Sequence, residues 1–392
     1  MLESIVLILF LGILFSKAFQ KVRLPGLLGM ILVGVLIGPY GLNLLDKESI
    51  LKSSSNIRML ALIIILLRAG LGLDKDILKK VGKPAIKMSA IPCLCEGFTI
   101  MFTANKLVGL PILEAGMLGF IIAAVSPAVV VPSMLYLREK KLGIRKGVPV
   151  IILAGASIDD VFAITIFTAF LSMSKGGGKS IVFQISQIPI QIIGGIVLGI
   201  LAGYIIYKAF NLEKLKLSNP EQLAILFSAA LAIVILGEKV HVAGLLAVMT
   251  MGFILLEKDK DTAERLEEKL NKIWFFAQIF LFVLIGAEVN TQVALKAGLV
   301  GIVIIIVGLI GRSIGVIIAL RGSNLNIKER LFCAIAYMPK ATVQAAIGGI
   351  PLASGIFSGA YILAVAVLAI IITAPLGVVG IKVSAPKLLE QN

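Results

Sequence analysis

The run GASIDDVFAITIF, Gly155 to Phe167, places two adjacent carboxylates, Asp159 and Asp160, inside an otherwise apolar stretch. Elsewhere Glu96, Ser126 beside Pro127, Arg312, and Lys340 beside Pro339 interrupt apolar runs in the same way. Carboxylate and hydroxyl oxygens suit a hard cation, and a carboxylate also takes up protons. Neighbours on a helix point about 100° apart, so one aspartate can face a fixed cation while the other faces a cavity. Desolvation raises a carboxyl pKa and a nearby positive charge lowers it. Two carboxylates in different surroundings therefore titrate apart, and one of them can trade H⁺ for a small cation. Two cations, Arg312 and Lys340, stand against three carboxylates, Glu96, Asp159 and Asp160. The surplus carboxylate is the natural place for a cation or a proton.

The elements that must position these residues are membrane helices. Of 392 residues, 59% are hydrophobic and 15% charged, against about 25% charged in an ordinary soluble domain. Apolar runs long enough to cross a bilayer recur along the chain. Thirteen spans are expected, near residues 2–20, 24–39, 56–73, 84–105, 111–136, 147–173, 181–209, 221–236, 241–257, 272–289, 294–320, 328–352 and 357–383. The first run has Glu3 at its start and no basic leader, so it reads as a retained span. Lys and Arg favour the odd-numbered connections by about three to one, the richest holding Arg138, Lys140, Lys141, Arg145 and Lys146. The positive-inside rule then puts the N-terminus outside and the C-terminus in the cytoplasm. The net charge of +15 belongs to those connections and implies no nucleic acid. The connector Glu257–Lys272, with Leu266 and Leu270 as a thin apolar stripe, is expected to form a separate surface helix.

Span five contains AVSPAVVVPS, Ala124–Ser133, and span twelve AYMPKATVQA, Ala336–Ala345. A mid-span proline breaks a helix, and a break at membrane depth needs cover from protein or a water-filled cavity. Spans seven apart run in opposite directions. The expected organisation is a single integral membrane domain over 1–392, with inverted repeats at 1–180 and 221–383, a linker helix at 181–210, and ion-translocating core helices at about 84–173 and 294–383. Helix rise puts Asp159 and Asp160 roughly 18–20 Å from the cytoplasmic end, Glu96 and Lys340 near 18 Å, Ser126 near 15 Å and Arg312 near 12 Å. Each charge costs about 2.5–3.5 kcal/mol on a lipid-facing helix, so they must pair or be hydrated. The expected pairs are Arg312 with Glu96 and Lys340 with Asp159. Ser126 and the backbone carbonyls freed near Pro127 are expected further oxygen ligands.

The motifs VSPAVVVPSM, GASIDDV, LIGAEV and MPKATVQAAIG, in this order, resemble the monovalent cation:proton antiporter superfamily, and within it the NHA-type Na⁺/H⁺ antiporters. The resemblance covers essentially the whole chain. It implies an all-α fold with two inverted six-helix repeats and crossed broken helices, a homodimer in the inner membrane of a cell, and elevator-like exchange of Na⁺ or Li⁺ for H⁺ without a cofactor. Asp160 matches the essential ion-binding carboxylate and Asp159 its companion. Where electrogenic relatives place a lysine opposite the companion, span eleven offers Arg312. Where many exchangers have Thr-Asp-Pro, this chain has Ser126-Pro127.

Other chemistries fit less well. KGGGKS, Lys175–Ser180, has Met173 where a phosphate-binding loop needs glycine. An aspartyl protease needs facing carboxylates that share a proton, which adjacent helix residues cannot provide. Cys93, Cys95 and Cys333 lie in spans as packing residues, and His241 is the single histidine. A Na⁺-coupled organic-anion symporter would show Asn, Gln and Thr ligands instead of a double aspartate. A K⁺/H⁺ antiporter or K⁺ efflux system remains open, although such systems usually append a nucleotide-binding domain and Asn392 comes about nine residues after the last span.

Overall fold

The computed structural model describes residues 1–22, 24–46, 50–72, 75–175, 181–212, 217–240 and 242–390. His241 and the glycine run 176–180 lie outside these residues. Sixteen helices follow one another: α1 Leu2–Lys21, α2 Gly26–Ile37, α3 Ser54–Leu71, α4 Lys75–Val108, α5 Ile112–Ala123, α6 Pro127–Glu139, α7 Val148–Lys175, α8 Ile181–Phe210, α9 Asn219–Lys239, α10 Gly244–Lys258, α11 Lys260–Ala287, α12 Thr291–Ala319, α13 Ile327–Ala336, α14 Thr342–Ile347, α15 Ile350–Ala353 and α16 Gly359–Leu388. No β-strand occurs among the described residues. Nine helical segments there are long and apolar enough to cross a membrane, counting α5 with α6 as one, while Gly26–Ile37 and Thr342–Ala353 are shorter apolar helices. Apolar side chains such as Leu295, Leu299, Ile306 and Ile310 on α12 stay exposed, as suits a helix whose solvent is lipid.

Local sequence sets the helix ends. Asn290 caps α12 through Gln292 and Val293. Ser218 with Glu221, and Asn326 with Glu329, form reciprocal capping boxes on α9 and α13. Two elements differ from the sequence expectation. α4 begins at Lys75 rather than near residue 84, so its helix takes in residues expected in a connection. α11 runs unbroken from Lys260 to Ala287, merging the expected surface helix with the following span. Leu266 and Leu270 are buried, and that burial keeps the polar first turns helical.

The chain forms two compact units. One comprises Met1–Arg58, Asp76–Ser174 and Ile279–Asn392; the other comprises Met59–Lys75 and Lys175–Gln278. In the second unit α8 packs closely on α10, with Gly195, Gly199 and Gly203 set against Ala243, Ala247 and Ile254. The first unit holds every candidate site residue. There Gly308, Gly311 and Gly315 on α12 lie against Ile100, Thr99 and Pro92 on α4. Small residues at a crossing let backbones approach, and this crossing brings Arg312 beside Glu96. At one end of this unit the terminal amine and Asp46 are 3.2 Å apart, both exposed. At another, Lys146 in the α6–α7 connection bonds Glu329 at the start of α13, 3.1 Å away. That hydrogen bond holds the half-buried Lys146 ammonium above its ordinary pKa.

Candidate functional site

Two helix breaks face each other in the first unit. α5 ends at Ala123, Ala124–Ser126 are extended, and α6 restarts with Pro127 at its first position, where a missing N–H costs nothing. α13 ends at Ala336, and α14 restarts at Thr342 beyond Pro339 and Lys340. The breaks are bonded directly, the N–H of Ser126 donating to the carbonyl of Pro339 at 2.8 Å. The N–H of Lys340 donates to the Thr373 hydroxyl on α16 at 2.9 Å. A Cβ on Gly377 would collide with the Pro339 ring, so glycine there lets α16 close over the second break.

Around the breaks stand the ionisable groups. Glu96 from α4, Asp159 from α7, Arg312 from α12 and Lys340 are fully buried, and Asp160 is 8% exposed. Glu96 Oε2 lies 2.6 Å from Arg312 Nη1 and 2.6 Å from Lys340 Nζ. Arg312 Nη2 lies 3.0 Å from Asp159 Oδ2, which also accepts the Val125 N–H at 2.7 Å. Arg312 thus bridges two carboxylates, and its guanidinium sits 5.2 Å from the centre of the Tyr337 ring, within cation–π range. Gly155, four residues before Asp159, leaves room for the Tyr337 hydroxyl.

The expected Arg312–Glu96 pair is present. The expected Lys340–Asp159 pair is not: Lys340 bonds Glu96, and Asp159 is held by Arg312. The forked guanidinium has donors pointing two ways, so it spans both acids and leaves the single ammonium to share Glu96. A thermodynamic consequence follows. Lys340→Ala should lower the melting temperature, and adding Glu96→Gln should restore part of the loss, because the two groups meet directly. Adding Asp159→Asn should restore less. Melting curves of the purified variants check this ordering, and equal rescue by both would contradict the pairing.

With Glu96 and Asp159 neutralised by the two cations, Asp160 is the carboxylate left over. Its Oδ1 is buried without a hydrogen-bond partner, as are Ser126 Oγ, Thr342 Oγ1, Gln344 Oε1 and Asp159 Oδ1. These oxygens belong to the two breaks and to α7. Buried oxygens without donors next to surplus negative charge are what a desolvated monovalent cation or a proton satisfies. The carbonyls of Ile121, Ile122, Ala123 and Ala124 at the first break each already accept a side-chain hydrogen bond. The unpartnered side-chain oxygens are available as ligands, and each of those carbonyls keeps a second lone pair. Tyr337, Thr342, Gln344 and Thr373 were not singled out from sequence. A glutamine inside an apolar run was the available signal.

Residues 5–385 match the transmembrane sodium/hydrogen exchanger family. Human sodium/hydrogen exchanger 9B2 is 34% identical over 410 residues, covering the whole of this chain and 75% of that protein. Human sodium/hydrogen exchanger 9B1 is 32% identical over 412 residues, covering the whole of this chain and 79% of that protein. The sodium proton antiporter MjNhaP1 of Methanocaldococcus jannaschii, solved at pH 8, superposes with a TM-score of 0.84 over 98% of this chain and 97% of its own, at 21% identity. That likeness concerns the fold.

Proposed function

Because this chain belongs to the sodium/hydrogen exchanger family, we propose that it exchanges Na⁺ or Li⁺ for H⁺ by alternating access, with Asp160 as the shared binding group. Na⁺/H⁺ antiport is the activity that relatives at full-chain coverage carry in their names, and neither a K⁺ system nor an organic-anion symporter gains support from them. The observation that carries the assignment to Asp160 is its isolation: among the described residues it is a buried carboxylate with no ion pair beside two carboxylates that have theirs. Deprotonated, Asp160 binds the cation, with Asp159 as companion and Ser126 as a further oxygen ligand. Protonated, it returns without the cation. Competition for one group excludes simultaneous occupancy, which couples the two gradients. Glu96, Arg312 and Lys340 supply fixed, mutually compensating charge, and Pro127 and Pro339 keep the two breaks open.

The same reading includes the inverted repeats 1–180 and 221–383, the linker helix 181–210, and core helices about 84–173 and 294–383. It also includes a homodimer in a cell's inner membrane, the N-terminus outside and the C-terminus cytoplasmic. No cofactor enters the cycle. The inter-helix bonds of Ser126 with Pro339 and of Arg312 with Glu96 support a core in which the halves meet at their breaks.

Purified protein in vesicles carrying a pH gradient tests the assignment. Na⁺ or Li⁺ should discharge the gradient and K⁺ should not. The pH dependence follows from competition. As pH falls through the site's pKa, protons occupy the carboxylate, so the Na⁺ concentration for half-maximal exchange should rise. As pH rises above it, that concentration should level off. A half-maximal concentration independent of pH would contradict a shared carboxylate.

A further inference from the structure

Gln344 on α14 is fully buried and touches the other break. Its Nε2 lies 3.0, 3.2 and 2.8 Å from the carbonyl oxygens of Ile121, Ile122 and Ala124. Arg312 Nη1 donates to the intervening carbonyl of Ala123. Four consecutive carbonyls thus face donors of two side chains from the second half of the chain, the two N–H bonds of Gln344 being shared among three of them. Carbonyls at a helix end have no intrahelical donor, and at membrane depth an unmet carbonyl is costly. Reversing the amide would set Oε1 against three carbonyl oxygens with no donor between them, so the donor orientation is fixed by the surroundings. The next residues carry the site: Val125 donates to Asp159, and Ser126 bonds Pro339. A side chain on one broken helix therefore holds the backbone of the other immediately before its ligand-bearing stretch.

We propose that Gln344 is a positioning residue for cation exchange, clamping Ile121–Ala124 so that the Val125–Asp159 contact and the Ser126 hydroxyl keep one geometry. This rests on the exchange reading above and adds a determinant of cation affinity to it. The clamp joins α14 to α5, so the two breaks shift together instead of separately. Loss of the clamp loosens the arrangement of Asp160, Asp159 and Ser126 while leaving each of those three side chains in place.

Gln344→Met tests this, since methionine keeps the length of the side chain and removes the donor. In vesicles the Na⁺ concentration for half-maximal exchange should rise by about 10–100-fold, the usual scale for losing a group that orients a metal ligand. The maximal rate per folded molecule should change little, and the ratio of Na⁺ to Li⁺ affinity should shift. Gln344→Asn, which keeps the donor on a shorter arm, should fall between Met and wild type. A purely structural role would lower yield and melting temperature but leave the half-maximal concentration unchanged. Folded Gln344→Met with wild-type Na⁺ dependence and Na⁺/Li⁺ ratio overturns the proposal. Should the methionine variant not fold, wild-type Na⁺ dependence in Gln344→Asn overturns it instead. Asp160→Asn measured in parallel separates the two ideas. If Asp160→Asn is inactive and Gln344→Met unaltered, only the clamp is lost; if Asp160→Asn is active, the reading beneath it is lost.

Discussion

Asp160→Asn should abolish Na⁺-driven proton movement while leaving a folded protein. The amide is close to isosteric, remains neutral at every accessible pH, and can neither release a proton nor offer a full negative charge to Na⁺. Both halves of the exchange fail together, so the rate should fall to that of empty vesicles rather than shift along the Na⁺ axis. Stability should not suffer. Asp160 has no ion pair to lose, and removing an uncompensated buried charge relieves a desolvation cost. The variant should melt at or above the wild-type temperature, and Na⁺ should no longer stabilise it. The decisive reading is a pH-sensitive dye trapped in vesicles holding purified protein that melts cooperatively. Near wild-type exchange by such protein would end the assignment.

Arg312→Met should have the largest effect on stability. The guanidinium bridges Glu96 and Asp159 and binds the carbonyl of Ala123. Methionine approximates its stem but leaves Asp159 with only the Val125 N–H, and leaves Glu96 to Lys340 alone. Breaking a buried pair from one side costs roughly 3–5 kcal/mol, because the remaining charge stays buried. Asp159→Asn in the same chain should recover part of that loss, since the stranded charge is then removed. Melting temperatures of wild type, both single variants and the double variant give the coupling. Strictly additive losses would show that the Arg312–Asp159 contact contributes nothing. Transport need not recover with stability, because the double variant also lacks the companion carboxylate.

Several features were legible in the chain. The apolar runs located most of the helices, because helix existence in a membrane follows composition over about 20 residues. The prolines at 127 and 339 located both breaks, since proline lacks the donor that a continuous helix needs. Other features were not legible. The charge of Lys75 points to a connection, yet α4 starts there. The polar residues of 260–272 suggested a helix separate from the following span. Burial of Leu266 and Leu270 makes that segment the first turns of α11, and burial depends on what packs against a residue, which composition does not record.

Sequence by itself led to the expectation of a cluster of three acids and two bases within one slab of the membrane, with one acid in excess. Residue type and a constant helical rise are enough for that. Asp160 is the acid left over in the expected pairing and in the observed one; only the tertiary structure decided which base neutralises which of the other two acids. Glu96 meets Arg312 and Lys340 across 216 and 244 residues, and Arg312 meets Asp159 across 153. No periodicity in the chain encodes contacts at such separations. They depend on how α4, α7, α12 and the second break cross, and the glycines at 308, 311 and 315 set how closely α12 and α4 do so. Gln344 shows the same division. Its presence in an apolar run is visible, but its role rests on the fold, which sets its amide against the carbonyls of Ile121, Ile122 and Ala124.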